Sequence, residues 1–171
     1  MNLLFGNWII KMVGNISKSD LDRILIHNNI VISLGEDSYW ENIFLLDIGS
    51  VNDNSRLLVP VFSESSIEPS IMINNNNQLI VGFNKKIAII DLDMQQVIIE
   101  KELPHNFIYA KYIGDKLVVI FEIGIVILNS NYQEIFNRPT DVIEKFEFLG
   151  NQILYKTCLG TEEVNMETIA V

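Results

Sequence analysis

The residues best suited to chemistry in this sequence are His27, His105 and Cys158. The two histidines stand far apart, and neither belongs to a His-x-x-x-His or Cys-x-x-Cys spacing of the kind that zinc sites use. We therefore interpret both as turn or surface histidines. Cys158 has no neighbour in the sequence that would activate its thiol, and such a cysteine is typical of a small buried apolar residue. These three residues predict neither a metal site nor a nucleophile.

Asp91 and Asp93 form the pair of carboxylates with the most suggestive spacing, since an extended segment places both on one face. Such a pair could bind a hard cation or serve as acid and base. The segment lacks the glycine and the further acids of a calcium loop, and aspartates at strand ends usually cap turns. Phosphate-binding glycine loops, nucleophile elbows and kinase motifs are absent from the sequence. We predict no catalytic residues, no metal and no cofactor.

Short apolar segments rich in β-branched and aromatic residues are the elements that would position any functional site. They recur roughly every six to twelve residues between turn-forming Gly, Asn, Asp and Pro, which predicts strands rather than helices. Four groups of strands, named a to d in chain order, follow from this pattern. Strands a are predicted at 24–26, 71–73, 107–109 and 146–148, strands b at 29–32, 78–81, 116–119 and 152–155, strands c at 43–47, 87–91, 125–129 and 164–167, and strands d at 57–59, 97–99 and 135–136.

These groups repeat with a period of roughly forty residues, which resembles the blades of a β-propeller, in the manner of WD-repeat proteins. Asp47, Asp91 and Asn129 stand where such a blade commonly ends a strand. The resemblance implies a single all-β domain over residues 1–171, built of four repeated four-stranded antiparallel units, with a β-sandwich as the alternative. The extra strand 8–13 is expected to pair beside 164–167 and complete the last unit.

The composition limits the class of partner. With 171 residues, 49% of them hydrophobic, the chain can bury a real core, and one cysteine excludes an internal disulfide, which favours a reducing, cytoplasmic location. The net charge of −10 opposes nucleic acids and anionic membranes. No apolar run reaches the roughly 20 residues of a membrane helix, and the first residues lack a basic leader. We expect no membrane span and no secretion.

The acidic residues concentrate in the b-to-c and d-to-a connections, which share one end of a blade. The connection 35–42 adds two aromatic residues to its acids, the composition of a protein-binding hot spot, although both aromatics could instead begin strand c and be buried. The connection 62–69 offers acids beside Phe62 and Ile67, which we expect to be exposed. The predicted partner-binding residues are Glu36, Asp37, Tyr39, Trp40, Glu41, Glu64, Glu68, Glu162 and Glu163.

A small, acidic, disulfide-free chain without catalytic motifs resembles the immunity proteins of contact-dependent growth inhibition and related polymorphic toxin systems. That resemblance implies a cytoplasmic inhibitor that binds a basic protein toxin, a nuclease domain, through its acidic loops, which mimic phosphates. The alternative is a non-catalytic, propeller-like protein-interaction module that binds a peptide or another cellular protein. A hydrolase with a site built from scattered loops is a third hypothesis, and the missing acid, base and nucleophile argue against it.

Overall fold

The computed structural model describes residues 2–26, 31–36, 40–52 and 55–169, and of Asn2 it describes the backbone alone. The chain forms two compact units, Met1–Lys101 and Glu102–Val171. The single domain over residues 1–171 remains a prediction. In the described part of the chain no helix is both long and apolar enough to cross a membrane.

The first unit consists of two four-stranded antiparallel sheets and one helix. The sheets have the strand orders β1-β2-β3-β4 and β5-β6-β7-β8, so that neighbours in sequence are neighbours in space. The elements are β1 (Asn2–Phe5), β2 (Trp8–Val13), α1 (Lys18–Leu25), β3 (Asn42–Ser50), β4 (Arg56–Ser63), β5 (Ser70–Ile73), β6 (Gln78–Phe83), β7 (Lys86–Asp91) and β8 (Gln96–Glu102).

Strands β3 and β4 are apolar at successive positions because both of their faces are covered. Side chains alternate between the faces of a strand. Phe44 and Leu46 therefore point into a core shared with β6 and β7, whereas Ile43 and Leu45 belong to a second cluster with the helix. Every one of these four side chains is at most 4% exposed. The sheet β1–β4 is thus the middle layer of the first unit.

Helix α1 corrects the predicted strand at 24–26. The hydroxyl of Ser17 accepts a hydrogen bond from the backbone N–H of Asp20 at 3.1 Å, which caps the first turn. Leu21, Ile24 and Leu25 then follow at helical spacing and pack on the outer face of the sheet β1–β4. The cap and the apolar stripe together decide the local structure, and the period-two interpretation of 24–26 was wrong.

The segment 31–36 lies along the free edge of β4. Val31 and Leu34 form parallel bridges to Leu58 and Val61 of that strand. Gly35 has a φ of +79°, and a Cβ there would stand 2.5 Å from the carbonyl oxygen of Phe62, so this close passage requires glycine. Residues 29–30 of the predicted strand b, and His27, lie outside the described residues. The segment protects an edge that would otherwise be open to pairing.

The predicted pairing of 8–13 with the last unit is also wrong. Strand β2 pairs with β1 on one side, Leu4 opposite Ile9, and with β3 on the other, Val13 opposite Leu45. Both edges of β2 are therefore used inside the first sheet. The cause is local: a tight turn at Gly6, whose φ is +54°, folds the first residues back into a hairpin.

The second unit contains a four-stranded antiparallel sheet and a three-stranded one. Their strand orders are β12-β11-β10-β9 and β13-β14-β15. A core between them includes Val118, Ile127, Ile153 and Tyr155. The elements are β9 (Phe107–Ile113), β10 (Lys116–Phe121), β11 (Gly124–Leu128), β12 (Glu134–Pro139), β13 (Lys145–Leu149), β14 (Gln152–Thr157) and β15 (Gly160–Asn165), followed by a 3₁₀ turn at Met166–Thr168.

The all-β prediction is confirmed, with fifteen strands in the described residues arranged as four antiparallel meanders. Strands a to d of the two middle units correspond to β5–β8 and β9–β12. The last strand c was placed wrongly at 164–167, because the two-residue hairpin at Cys158 and Leu159 begins β15 already at Gly160. No fourth strand is described for that sheet.

We expect Leu21→Ala to lower the free energy of unfolding by about 2–4 kcal/mol, since Leu21 is fully buried between α1 and the sheet β1–β4. Chemical denaturation followed by circular dichroism measures the change. Arg23→Ala on the exposed side of the same helix is the control and should change stability by less than about 0.5 kcal/mol. Equal effects of the two substitutions would contradict the packing of α1.

Candidate functional site

The predicted binding loops of the first unit meet at one end of the sheet β1–β4. We call this surface the connection end and define it as residues 35–36, 40–41 and 63–68. The backbone N–H of Glu41 donates to the carbonyl of Ser63 at 2.9 Å, which joins the end of the long β2–β3 connection to the start of the β4–β5 connection. The N–H of Phe62 donates to the carbonyl of Leu34, also at 2.9 Å. Backbone hydrogen bonds thus hold the described ends of the two connections beside each other.

Ser63 is a residue that sequence reasoning missed. Its side chain is fully buried, and its hydroxyl lies 2.9 Å from the carbonyl oxygen of Ser65 and 2.8 Å from Oδ1 of Asn84. The N–H of Ser65 in turn donates to that hydroxyl at 3.2 Å. The turn between β6 and β7 therefore supports the β4–β5 connection. No local motif signals this, since Asn84 comes from a different hairpin.

Trp40 is half-buried and belongs to the cluster that packs under α1. Its ring centroid lies 6.4 Å from that of Phe62, with the planes tilted by 47°. Trp40 precedes β3, which starts at Asn42, so it does not begin the strand. Phe62 was expected to be exposed, but it is 5% exposed because its position in β4 turns it toward α1. The ammonium of Lys18 lies 5.1 Å from its ring centroid.

Four predicted carboxylates, those of Glu36, Glu41, Glu64 and Glu68, are exposed at the connection end. Within the part of the chain that the structure describes, none of them forms an ion pair. The neighbouring Glu100 is different, because it pairs with Lys86 at 3.3 Å and accepts from the N–H of Gly35. Ile67 is 75% exposed beside the acids. Asp37 and Tyr39 lie outside the described residues.

Glu162 and Glu163 lie in the second unit and in strand β15, not in a loop as predicted. Glu162 accepts a hydrogen bond from the hydroxyl of Tyr155 at 2.8 Å and lies 3.9 Å from the guanidinium of Arg138. Burial, and then this hydrogen bond, raise the pKa of Tyr155. Because successive residues of a strand face opposite ways, the two glutamates do not form one acidic surface.

The carboxylates considered for chemistry have structural roles. Oδ1 of Asp91 accepts the N–H of Met94 at 2.8 Å, which confirms its interpretation as a turn cap. Asp93 accepts from the side-chain amide of Asn77 at 3.1 Å. His105 lies at the surface, 3.9 Å from a carboxylate oxygen of Glu122. Among the described residues, no group of three or more His, Cys, Asp or Glu side chains is placed to hold a metal ion.

Cys158 was expected to be buried and is instead exposed, because it occupies the turn between β14 and β15. Its thiol donates a hydrogen bond to Asp141 at 2.8 Å. This bond raises the pKa of the Cys158 thiol and lowers the pKa of the Asp141 carboxyl. A thiol with a raised pKa is mostly protonated at neutral pH and is a poor nucleophile. The hydrogen bond to Asp141 therefore disfavours the thiolate form of Cys158.

No protein-family model and no curated protein matches this sequence. Solved structures do resemble the fold. Kluyveromyces lactis Hsv2 is 16% identical with a TM-score of 0.51, over 75% of this chain and 43% of that one. The extracellular domain of the one-component system BT4673 from B. thetaiotaomicron is 16% identical with a TM-score of 0.51, over 84% of this chain and 23% of that one.

The chain is built of β-propeller-like blades. The propeller-like fold predicted from the repeat is confirmed, because both similar structures are β-propeller-like. The chain spans less than half the length of either structure. At this level of identity the likeness establishes the fold alone.

We expect Asp141→Asn to increase the rate at which iodoacetamide alkylates Cys158 at neutral pH. The substitution removes the carboxylate that raises the thiol pKa, so a larger fraction of the thiol is ionised. The rate should also reach its plateau at a lower pH than in the unmodified protein. Asp115→Asn, at an exposed site in the turn between β9 and β10, is the control. Unchanged rates in the Asp141 variant would show that the hydrogen bond does not control the thiol.

Proposed function

We propose that this chain is a protein-interaction module that binds a basic protein through the connection end of the first unit. The observation that carries the proposal is the joining of two acidic loops by backbone hydrogen bonds, with four exposed carboxylates free of ion pairs in the described residues. Loops fixed by a rigid scaffold are where proteins most often place binding residues.

Electrostatics favours a basic partner. The net charge of −10 and the exposed Glu41, Glu64 and Glu68 repel anions and attract Lys and Arg side chains. Exposed charges of this kind act over about 8 Å at physiological ionic strength and chiefly accelerate encounter. Ile67, which is 75% exposed, and the accessible part of Trp40 supply apolar contact area beside them. This combination of an aromatic residue with surrounding acids is typical of an interface hot spot.

The finer proposal is that the partner is a toxin, a basic nuclease domain, and that the chain is its immunity protein. Support for it comes from the acidity of the chain and from the carboxylates that can occupy the phosphate-binding positions of a nuclease. The more general candidate is an interaction module whose partner is a basic cellular protein or peptide, and the propeller-like fold supports this candidate better than the immunity role. Both candidates use the connection end.

We expect the triple variant Glu41→Gln, Glu64→Gln, Glu68→Gln to associate more slowly with the basic partner and to lose most of the salt dependence of association. The reason is that removing three exposed acids weakens steering without changing the packed core. Surface plasmon resonance at low and high ionic strength measures both rate constants. If the chain is an immunity protein, the partner to immobilise is the basic domain encoded directly upstream of its gene.

The matched control removes three acids elsewhere, as Asp93→Asn, Asp115→Asn, Glu167→Gln, all of them exposed. This control variant should associate with the partner at nearly the same rate as the unmodified protein. Association that is indifferent to salt and equally affected by both triple variants would overturn the acidic connection end. Inhibition of the domain's nuclease activity by the unmodified protein would separate the immunity proposal from the general module.

We expect Trp40→Ala to act on both stability and binding, because Trp40 is half-buried against Phe62. Its truncation should cost about 1.5–2.5 kcal/mol in unfolding free energy, roughly half of what a fully buried aromatic residue costs. Dissociation of the partner should become faster while the association rate changes little. Thermal denaturation and dissociation kinetics test the two effects separately. Loss of stability with unchanged dissociation would make Trp40 a core residue only.

A further inference from the structure

The sheet β13–β15 has one face packed in the core of the second unit and one face in solvent. Phe146, Ile153, Tyr155 and Val164 belong to the packed face. The alternate residues form the solvent face, and the pairing register arranges them in rows across the three strands. One row consists of Lys145, Lys156 and Thr161, and the next consists of Glu147, Leu154 and Glu163.

A shallow cavity of about 330 Å³ lies over this face. Its lining includes Lys145, Glu147, Leu154, Lys156 and Thr161, so both rows contribute to it. Phe146 and Tyr155 of the packed face complete the lining. Leu154 is half-buried in the middle of the second row, and the charged lining residues and Thr161 are exposed. A volume of about 300 Å³ is at the lower end of the range for ligand pockets. The cavity therefore suits a short segment rather than a globular surface.

The charges on this face are poorly compensated within the chain. Lys145 stands directly opposite Lys156, an arrangement that destabilises an antiparallel pair. Glu144 pairs with Lys156 at 3.4 Å. Over the described residues, the side chains of Lys145, Glu147 and Glu163 form no ion pair. Lys145 of the cationic row and both glutamates of the anionic row thus remain available side by side.

The distance between the rows indicates what could neutralise both. Rows two residues apart along a strand are separated by about 6.8 Å. Side chains at positions i and i+2 of another extended segment have the same separation and point the same way. An acidic residue of such a segment would meet Lys145 and Lys156, and a basic residue two positions away would meet Glu147 and Glu163. That basic residue would lie over Leu154, which stands between the two glutamates in the register.

We propose that the solvent face of β13–β15 binds an extended peptide that carries an acidic and a basic side chain two residues apart. The reason for choosing this occupant is that its two charges are complementary to the charges of the two rows. The surface belongs to the second unit and is distinct from the connection end. Its existence does not depend on the function proposed above.

The test is an NMR titration of the full-length ¹⁵N-labelled protein with two synthetic peptides of equal composition. The first, acetyl-Thr-Glu-Thr-Lys-Thr-amide, has the charges at i and i+2, and the second, acetyl-Thr-Glu-Lys-Thr-Thr-amide, has them on adjacent residues. We expect the first peptide to cause saturable changes in the amide chemical shifts of residues 145–147, 154–156 and 161–163. The second peptide should bind more weakly. Lys145→Gln should lower the affinity for the first peptide about three- to fivefold, which is the contribution of one exposed ion pair.

Lys11→Gln, an exposed lysine of the first unit, is the matched control and should leave peptide affinity unchanged. Equal binding of both peptides, no shifts at the named residues, or no effect of Lys145→Gln would overturn the proposal. Inorganic phosphate is titrated separately. Shifts at Lys145 and Lys156 with phosphate and none with the peptide would also overturn it, because the face would then bind a small anion instead.

Discussion

Water must be excluded from both faces of the sheet β1–β4, and the rest of the first unit depends on that requirement. Residues such as Phe44 and Ile43 alternate between two apolar faces of β3, so one sheet needs two covering layers. Strands β6 and β7 supply one layer and α1 supplies the other. The chain needs a long connection between β2 and β3 to place that helix. The same connection returns to Glu41 beside Ser63, and this return forms the connection end.

The sequence predicts the middle of the chain well and the sheet β1–β4 with its helix poorly. Strands β5–β12 follow turns whose geometry is encoded locally, as at Asn77 with a φ of +56° and Gly114 with a φ of +62°. Around the sheet β1–β4 the tertiary context adds to the local pattern: residues 24–25 join a helix because the Ser17 cap starts it and because Leu21, Ile24 and Leu25 can pack on the outer face of the sheet. The pairing of β2 with β3 likewise depends on an edge more than thirty residues away, which no local pattern predicts.

The candidate site was predictable in composition but not in arrangement. The exposed carboxylates of Glu41 and Glu64 follow from their place in connections. The burial of Phe62 and the exposure of Cys158 depend on which face of β4 the helix covers and on where a hairpin turns. Strand β15 begins four residues earlier than predicted, which places Glu162 and Glu163 in a strand and not in a loop. Charge alone therefore identified acids that the fold assigns to different surfaces.

Hydrogen exchange with the basic partner bound tests the central claim most directly, because it reports where contact occurs without altering the protein. If the connection end is the binding surface, the backbone amides of residues 40–41 and 63–68 exchange more slowly in the complex. Protection at Ser65 and Ile67 is the most informative, since both lie in the β4–β5 connection outside regular strands. A complex that leaves these amides unchanged and protects other parts of the chain would contradict the account.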